Sequence, residues 1–264
     1  MDPQKSFDRL IQIMNDLREQ CPWDKKQTNE SLRTLTIEET YELAEAILNN
    51  NDEEIKKELG DLLLHIVFYA KIGQEKGLFT ITDVINALCD KLIYRHPHIY
   101  GETKVNNATD VLENWERLKL KEKGRKKSVL QGVPSALPAM VKANRIQQKV
   151  RGVGFDWEEP IQVWDKISEE LAELKHEITE GNTNNIEAEF GDLLFSVINA
   201  ARLYDVDPET ALERTNQKFM KRFAYLEDRT IKQGRDLKTM SLDQMNQIWE
   251  EAKQFDVKKE DETQ

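Results

Sequence analysis

Acidic residues at helical spacing are the feature of this sequence with the clearest chemical meaning. Glu169, Glu170 and Glu173 lie in ISEELAELKHEI, and Glu189 and Asp192 follow in EAEFGDLLFSV. Because residues three apart share one face of a helix, each segment carries a pair of carboxylates that project together. Four converging carboxylates repel one another, whereas a hard divalent cation with oxygen ligands neutralises them. The pattern therefore predicts a Mg²⁺ site, with Mn²⁺ as an alternative.

A turn between the two acidic segments would bring them together. The intervening TEGNTNN is rich in turn residues, which predicts an antiparallel hairpin of two helices. Gly191 lies in the second helical pattern just before Asp192, where glycine costs about 1 kcal/mol relative to alanine. We expect tight packing of a neighbouring helix beside the site to offset this cost.

Cations and an aromatic residue further along the chain suit a phosphate ligand. Lys218 and Arg222 are four residues apart, so on a helix they form a pair that can contact phosphate oxygens not covered by metal. Trp249 could stack on a base or form a wall of the pocket. Acids, metal and cations together predict phosphate-ester chemistry, in which metal ions activate water, orient the phosphates and stabilise the leaving group.

Both halves of the chain carry this arrangement. An ungapped block repeats at a constant offset of 131 residues (169 − 38 and 192 − 61), and small gaps bring the later cations and the tryptophan into register. The equivalents in the first half are Glu38, Glu39, Glu42, Glu58, Asp61, Lys91, Arg95 and Trp115. An internal repeat of this kind predicts two related domains.

The predicted fold class is all-α, with two tandem helical-bundle domains. Apolar residues recur at helical spacing, and strand-like alternation is nearly absent. The stretch LKEKGRKKSVLQGVPSALPAM begins basic and then becomes rich in Gly, Pro and Ser, as interdomain linkers often are. We therefore expect a first domain over 1–122, a linker over 123–140 and a second domain over 141–264.

Composition excludes several classes of function. Lys and Arg number 38 against 49 Asp and Glu, and a net charge of −11 argues against direct nucleic-acid binding, which needs a basic surface. The two cysteines, Cys21 and Cys89, form neither a disulfide framework nor a zinc motif, which fits a reducing compartment. Because neither a signal peptide nor a membrane-length apolar stretch is present, we expect a soluble cytoplasmic protein.

Simpler interpretations remain for single features. One E-E-x-x-E segment is usually a solvated helix face, but its repetition at a constant offset argues against that interpretation. Lys218 and Arg222 could be an ordinary solvated pair, and Trp249 a packing residue. The Glu173-x-x-His176 spacing occurs in di-iron bundles, which require two such motifs, whereas this chain has one. Two other functions compete with phosphate-ester hydrolysis of broad specificity. One is a nucleotide-sensing or partner-binding module in which the acids hold a metal only for structure. The other is an all-α pyrophosphohydrolase with narrow substrate choice.

The sequence resembles the MazG family. The resemblance rests on E-E-x-x-E followed by E-x-x-D in both halves, and extends to CPWDKKQTNESL, QGVPSALPA, VGFDW and DPETALERTNQKFMKRF. It implies an all-α nucleoside triphosphate pyrophosphohydrolase with tandem domains, which hydrolyses (d)NTPs between the α and β phosphates to (d)NMP and pyrophosphate with Mg²⁺. It also implies a homodimer and a role in nucleotide-pool housecleaning or the stress response.

The resemblance further implies roles for residues of the second domain. Four acids, Glu170, Glu173, Glu189 and Asp192, would hold Mg²⁺, while Glu169 would support them or assist water activation. Nucleotide contacts would come from Lys166, Lys218, Arg222 and Trp249, together with the acids Glu169, Glu170 and Asp192. Asn199 lies seven residues after Asp192 and so faces the same way, where it could touch phosphate or ribose. Leu35 and Phe68 replace Lys166 and Asn199 in the first domain, so we expect the second domain to be the catalyst.

Overall fold

The protein divides into two compact helical units, Met1–Lys119 and Leu120–Gln264. A computed structural model describes residues 2–105, 107, 111, 114, 115, 118 and 128–255. Every regular element within these ranges is a helix, which confirms the all-α prediction. The limits of the linker at 123 and 140 stay a prediction.

Five helices of the first unit are described. They are α1 (Pro3–Gln20), α2 (Asn29–Leu48), α3 (Asp52–Glu75), α4 (Ile81–Arg95) and α5 (Pro97–Tyr100). Thr28 begins α2 with a reciprocal capping box to Ser31, and Asn51 caps the start of α3. The short turn between Leu48 and Asp52 folds α3 back along α2. This hairpin packs against α1 around a buried apolar cluster of Met14, Leu32, Val67, Phe68 and Ile72.

The second unit repeats the hairpin. Its helices are α6 (Ala139–Arg151), α7 (Val163–Glu180), α8 (Thr183–Leu203), α9 (Pro208–Arg229) and α10 (Leu242–Lys253). Gly181 ends α7 with a positive φ of 74°, a left-handed conformation that glycine adopts without steric cost. Helix α8 begins two residues later and packs along α7, which confirms the predicted turn and hairpin. None of the described helices is long and apolar enough to cross a membrane.

Candidate metal and nucleotide site

The α7–α8 hairpin brings three of the four predicted metal ligands together. Carboxylate oxygens of Glu170, Glu173 and Glu189 lie within 4.8 Å of one another. Glu170 is buried, at 6% exposure, whereas Glu173 is exposed. The buried Oε2 of Glu189 makes no hydrogen bond with the residues that the structure describes. Asp192 lies one turn further along α8, outside this group of three.

The negative charges of the cluster act on one another, as the pKa of Glu189 shows. Burial raises the pKa of Glu189, and the negative charges of Glu173 and Asp192 raise it further. An all-oxygen donor set with an unsatisfied buried oxygen is the chemistry that a hard divalent cation such as Mg²⁺ prefers. The residues present therefore fit the expected metal.

Lys166 provides a cation at the edge of this cluster. Its Nζ lies 2.8 Å from Glu170 Oε1 and 3.1 Å from Glu169 Oε1, one turn along the same helix. The hydrogen bond to Glu170, followed by that to Glu169, holds the pKa of Lys166 well above its usual value. The ammonium of Lys166 binds Glu170, which is itself a member of the acid cluster. Lys166 therefore lies where it can also reach a molecule bound at the metal site.

The first unit reproduces the acid cluster in the α2–α3 hairpin. Oxygens of Glu39, Glu58 and Asp61 lie within 4.8 Å of one another, and the buried Oε2 of Glu58 lacks a hydrogen-bond partner among the described residues. Burial raises the pKa of Glu39, as does the charge of Asp61. Glu39 and Glu58 match Glu170 and Glu189 of the second unit. The third member differs, because it is Asp61 in the first unit and Glu173 in the second. Glu42 and Glu38 lie outside the first-unit group.

Cation and aromatic pairs recur in the two units. The guanidinium carbon of Arg222 lies 5.7 Å from the ring centre of Trp249, and the corresponding distance from Arg95 to Trp115 is also 5.7 Å. Phe219 adds a second ring, 4.9 Å from Trp249. Trp249 is thus packed against helix α9. Lys218, on the same helix, is exposed, as is Lys91 in the first unit.

An ion pair in the second unit was not predicted from the sequence. Arg202 donates from Nη1 to Asp156 Oδ2 at 2.9 Å, and its Nη2 also binds Asp156 Oδ1. Its Nε and Nη2 donate to Asn199 Oδ1 at 3.0 and 2.7 Å. Burial alone would raise the pKa of Asp156, but the hydrogen bond and the charge of Arg202, together with the Trp157 N–H and the charge of Arg151, outweigh burial and lower the pKa. The sequence offered only a weak indication of this ion pair. Arg202 lies near the end of the apolar segment LLFSVINAARL, and Asp156 lies in VGFDW.

The expectation of tight packing at Gly191 is wrong. A Cβ added at Gly191, or at the matched Gly60 of the first unit, would meet no atom of the described residues within 4 Å. Among the residues that the structure describes, close approach of a neighbouring helix therefore does not account for glycine at either position.

Fold and site together define an all-α protein in which duplicated helical hairpins hold carboxylate clusters suited to a divalent cation. The family model of the MazG nucleotide pyrophosphohydrolase domain matches residues 27–100 and 159–225, one hairpin in each match. The chain therefore belongs to the MazG family and contains its domain twice.

Relatives with curated names match nearly the whole chain. The nucleoside triphosphate pyrophosphohydrolase/pyrophosphatase MazG of Thermotoga maritima is 46% identical, over 94% of this chain and 95% of its own. The nucleoside triphosphate pyrophosphohydrolase of Escherichia coli K12 is 38% identical, over 95% of this chain and 98% of its own. The uncharacterized protein YabN of Bacillus subtilis is 45% identical, over 94% of this chain but 52% of its own length.

Proposed function

We propose that this protein is a nucleoside triphosphate pyrophosphohydrolase that cleaves (d)NTPs between the α and β phosphates to (d)NMP and pyrophosphate. The observation that carries the proposal is the α7–α8 acid cluster, which has an unsatisfied buried oxygen and lies within a matched MazG domain. Two relatives that align over nearly their full length bear the name of this activity.

The acids of α7 and α8 would hold Mg²⁺, or Mn²⁺ in its place. These proposed ligands are Glu170, Glu173, Glu189 and Asp192. When bound, the cation neutralises the triphosphate and activates the attacking water. The water oxygen would attack the α or the β phosphorus, and the P–O bond from that phosphorus to the bridging oxygen would break. The leaving group is pyrophosphate after attack at the α phosphorus and the nucleoside monophosphate after attack at the β phosphorus, so the products are the same. Glu169 is exposed beside Lys166 and would support the metal ligands or take the proton of the water.

Three cations of the second unit would neutralise the phosphates. Lys166 can exchange its contact with Glu170 for a phosphate oxygen once a divalent cation occupies the carboxylates. Lys218 and Arg222 on α9 would supply further positive charge. Such charge stabilises the negative charge that develops during phosphoryl transfer. Asn199 and Trp249 would contact the ribose or phosphates and the base.

We assign catalysis mainly to the second unit. The first unit keeps its acid cluster, and its cationic and aromatic equivalents Lys91, Arg95 and Trp115. It has Leu35 in place of Lys166, however, and Phe68 in place of Asn199. Phe68 is buried in the core of the first unit, so it presents no polar group to a ligand. Glu39, Glu58 and Asp61 form this second acidic cluster, Glu38 and Glu42 lie outside it, and we assign it no main part in turnover.

The active form would be a homodimer. Phe190, Leu194 and Val197 form an apolar stripe on one face of α8, and each is about half exposed. Leu59, Leu63 and Ile66 form the same stripe at the matched positions of α3. Exposed apolar stripes of this kind are removed from water when a second copy packs on them. Given its charge of −11, we expect no nucleic-acid partner, and we place the enzyme in cytoplasmic nucleotide-pool housecleaning or the stress response.

Phosphorus NMR of a reaction with Mg²⁺ and a panel of ribo- and deoxynucleoside triphosphates tests the proposal. We expect nucleoside monophosphate and pyrophosphate in equal amounts, with no turnover after chelation of the metal. Diphosphate with inorganic phosphate would contradict cleavage between the α and β phosphates. Tight nucleotide binding without turnover would instead support a sensing module.

A further inference from the structure

Arg202 is a buried cation at the end of α8 with two different partners. Its side chain is 6% exposed, and a guanidinium this deeply buried is costly unless its charge and its donors are matched. Asp156, in the loop after α6, supplies the opposite charge through both carboxylate oxygens. Two further donors of the guanidinium, on Nε and Nη2, converge on Asn199. The ion pair thus fixes the guanidinium, and the guanidinium in turn fixes Asn199.

The contact determines which end of the Asn199 amide is available. Its Oδ1 accepts from both Nε and Nη2 of Arg202, which occupies the two lone pairs of the amide oxygen. Its NH₂ group has no hydrogen-bond partner among the residues that the structure describes. Flipping the amide would place two donors against the guanidinium, so Asn199 is held as a donor.

Asn199 lies on the same face of α8 as the proposed metal ligands. The residue is two turns beyond Asp192 and is partly exposed. A fixed donor at this position suits an oxygen acceptor, and the proposed substrate offers acceptors in its phosphate oxygens and in the oxygens of its ribose.

We propose that Arg202 is a positioning residue that locks the Asn199 amide so that its NH₂ donates to an oxygen of the bound nucleotide. This inference rests on the proposed function, because it names a group that acts on the same substrate. Asp156, Arg202 and Asn199 together form this positioning device, in which Asp156 compensates the charge of Arg202.

The first unit lacks this arrangement at the matched positions. Phe68 stands in place of Asn199 and packs in the core, and Lys71 stands in place of Arg202. An ammonium is a point donor and lacks the planar fork with which Arg202 binds two partners at once. The device therefore adds a physical reason for expecting catalysis in the second unit.

A double-mutant cycle on the full chain tests the proposal. Arg202→Lys and Asn199→Ala should each lower kcat/KM by roughly 10- to 100-fold, the range for a lost hydrogen bond to a charged ligand. Because both changes remove the same donor, the double variant should be no slower than Asn199→Ala alone. Losses that multiply would overturn the proposal, since they would mean that Arg202 acts independently of Asn199.

Two further variants separate positioning from folding. Asn199→Asp keeps an acceptor for Arg202 and should preserve the thermal unfolding midpoint, yet it should lose activity as Asn199→Ala does; full activity would overturn the proposal. Arg151→Gln removes the exposed cation whose Nε lies 3.7 Å from Asp156 and should leave kcat/KM unchanged. Absence of turnover in the unsubstituted chain would instead contradict the proposed function itself.

Discussion

At the scale of single residues, the site is defined by carboxylates that repel one another. Glu189 has an unsatisfied buried oxygen, and burial together with Glu173 and Asp192 raises its pKa. The ionised form of Glu189 therefore destabilises the folded chain when no cation is bound. This cost is fully present above the folded-state pKa and is absent below the unfolded value of about 4.3.

The first prediction concerns the stability of the metal-free protein. As pH falls from 7 through the folded-state pKa of Glu189, this residue should contribute a rise in the free energy of unfolding. Glu189→Gln removes the charge, so it should raise the thermal midpoint at pH 7 in the presence of a chelator and reduce the stabilisation by added Mg²⁺. Calorimetry at a series of pH values measures both effects. Glu187→Gln, at an exposed position of the same helix, is the control. A lower midpoint for Glu189→Gln at pH 7 would contradict the account.

Spacing was enough to predict the acids but not the ion pair of Arg202 with Asp156, which fixes Asn199. Residues three apart on one helix must share a face, so Glu170 with Glu173 follows from sequence alone. Arg202 and Asp156 are 46 residues apart and meet only because the loop after α6 packs against the end of α8. No local pattern encodes such a contact, and the same is true of the Arg222 contact with Trp249.

At the scale of elements, the hairpin could be predicted because its signals are local. Turn residues between two helical patterns indicate where the chain reverses, and Gly181 adopts the left-handed conformation that ends α7. The space around a helical glycine cannot be predicted from neighbouring residues in the sequence, because it depends on which atoms of other elements come near. For this reason the expected tight packing at Gly191 was wrong.

The second prediction follows from the open space at Gly191. Gly191→Ala should raise the free energy of unfolding by about 0.5–1 kcal/mol, because alanine has the higher helix propensity and its methyl group would meet no atom of the described residues within 4 Å. Denaturant unfolding measures the change, and Gly60→Ala is the matched substitution in the first unit. Loss of stability or of dimerisation would show that another surface approaches this glycine.

At the scale of the whole molecule, duplication was visible in the sequence because the acids recur at one offset. The structure adds that each hairpin also exposes an apolar stripe at matched positions. Helical periodicity could not distinguish this stripe from a core face, since both have the same spacing. The distinction depends on which neighbouring elements cover the helix.

The third prediction tests the stripe as a dimer surface. Leu194 is 56% exposed, and Leu194→Asp places a charge where a second copy would bury an apolar side chain. We expect light scattering at micromolar concentration to show a dimer for the unsubstituted chain and a weakened dimer for this variant. Asn184→Asp, which adds a charge at an exposed polar position of α8, should leave the dimer intact. A monomeric unsubstituted chain would contradict the assignment.

The most direct test of catalysis in the second unit compares two matched substitutions. Glu170→Gln and Glu39→Gln remove equivalent carboxylates, one from each acid cluster. Glu170 is a proposed ligand of the catalytic cation, so Glu170→Gln should lower kcat for triphosphate cleavage by at least ~100-fold. Glu39→Gln should retain turnover within about threefold of the unsubstituted chain, as a change outside the reacting centre does. The reverse order, or equal losses in both variants, would contradict the assignment of catalysis to the second unit.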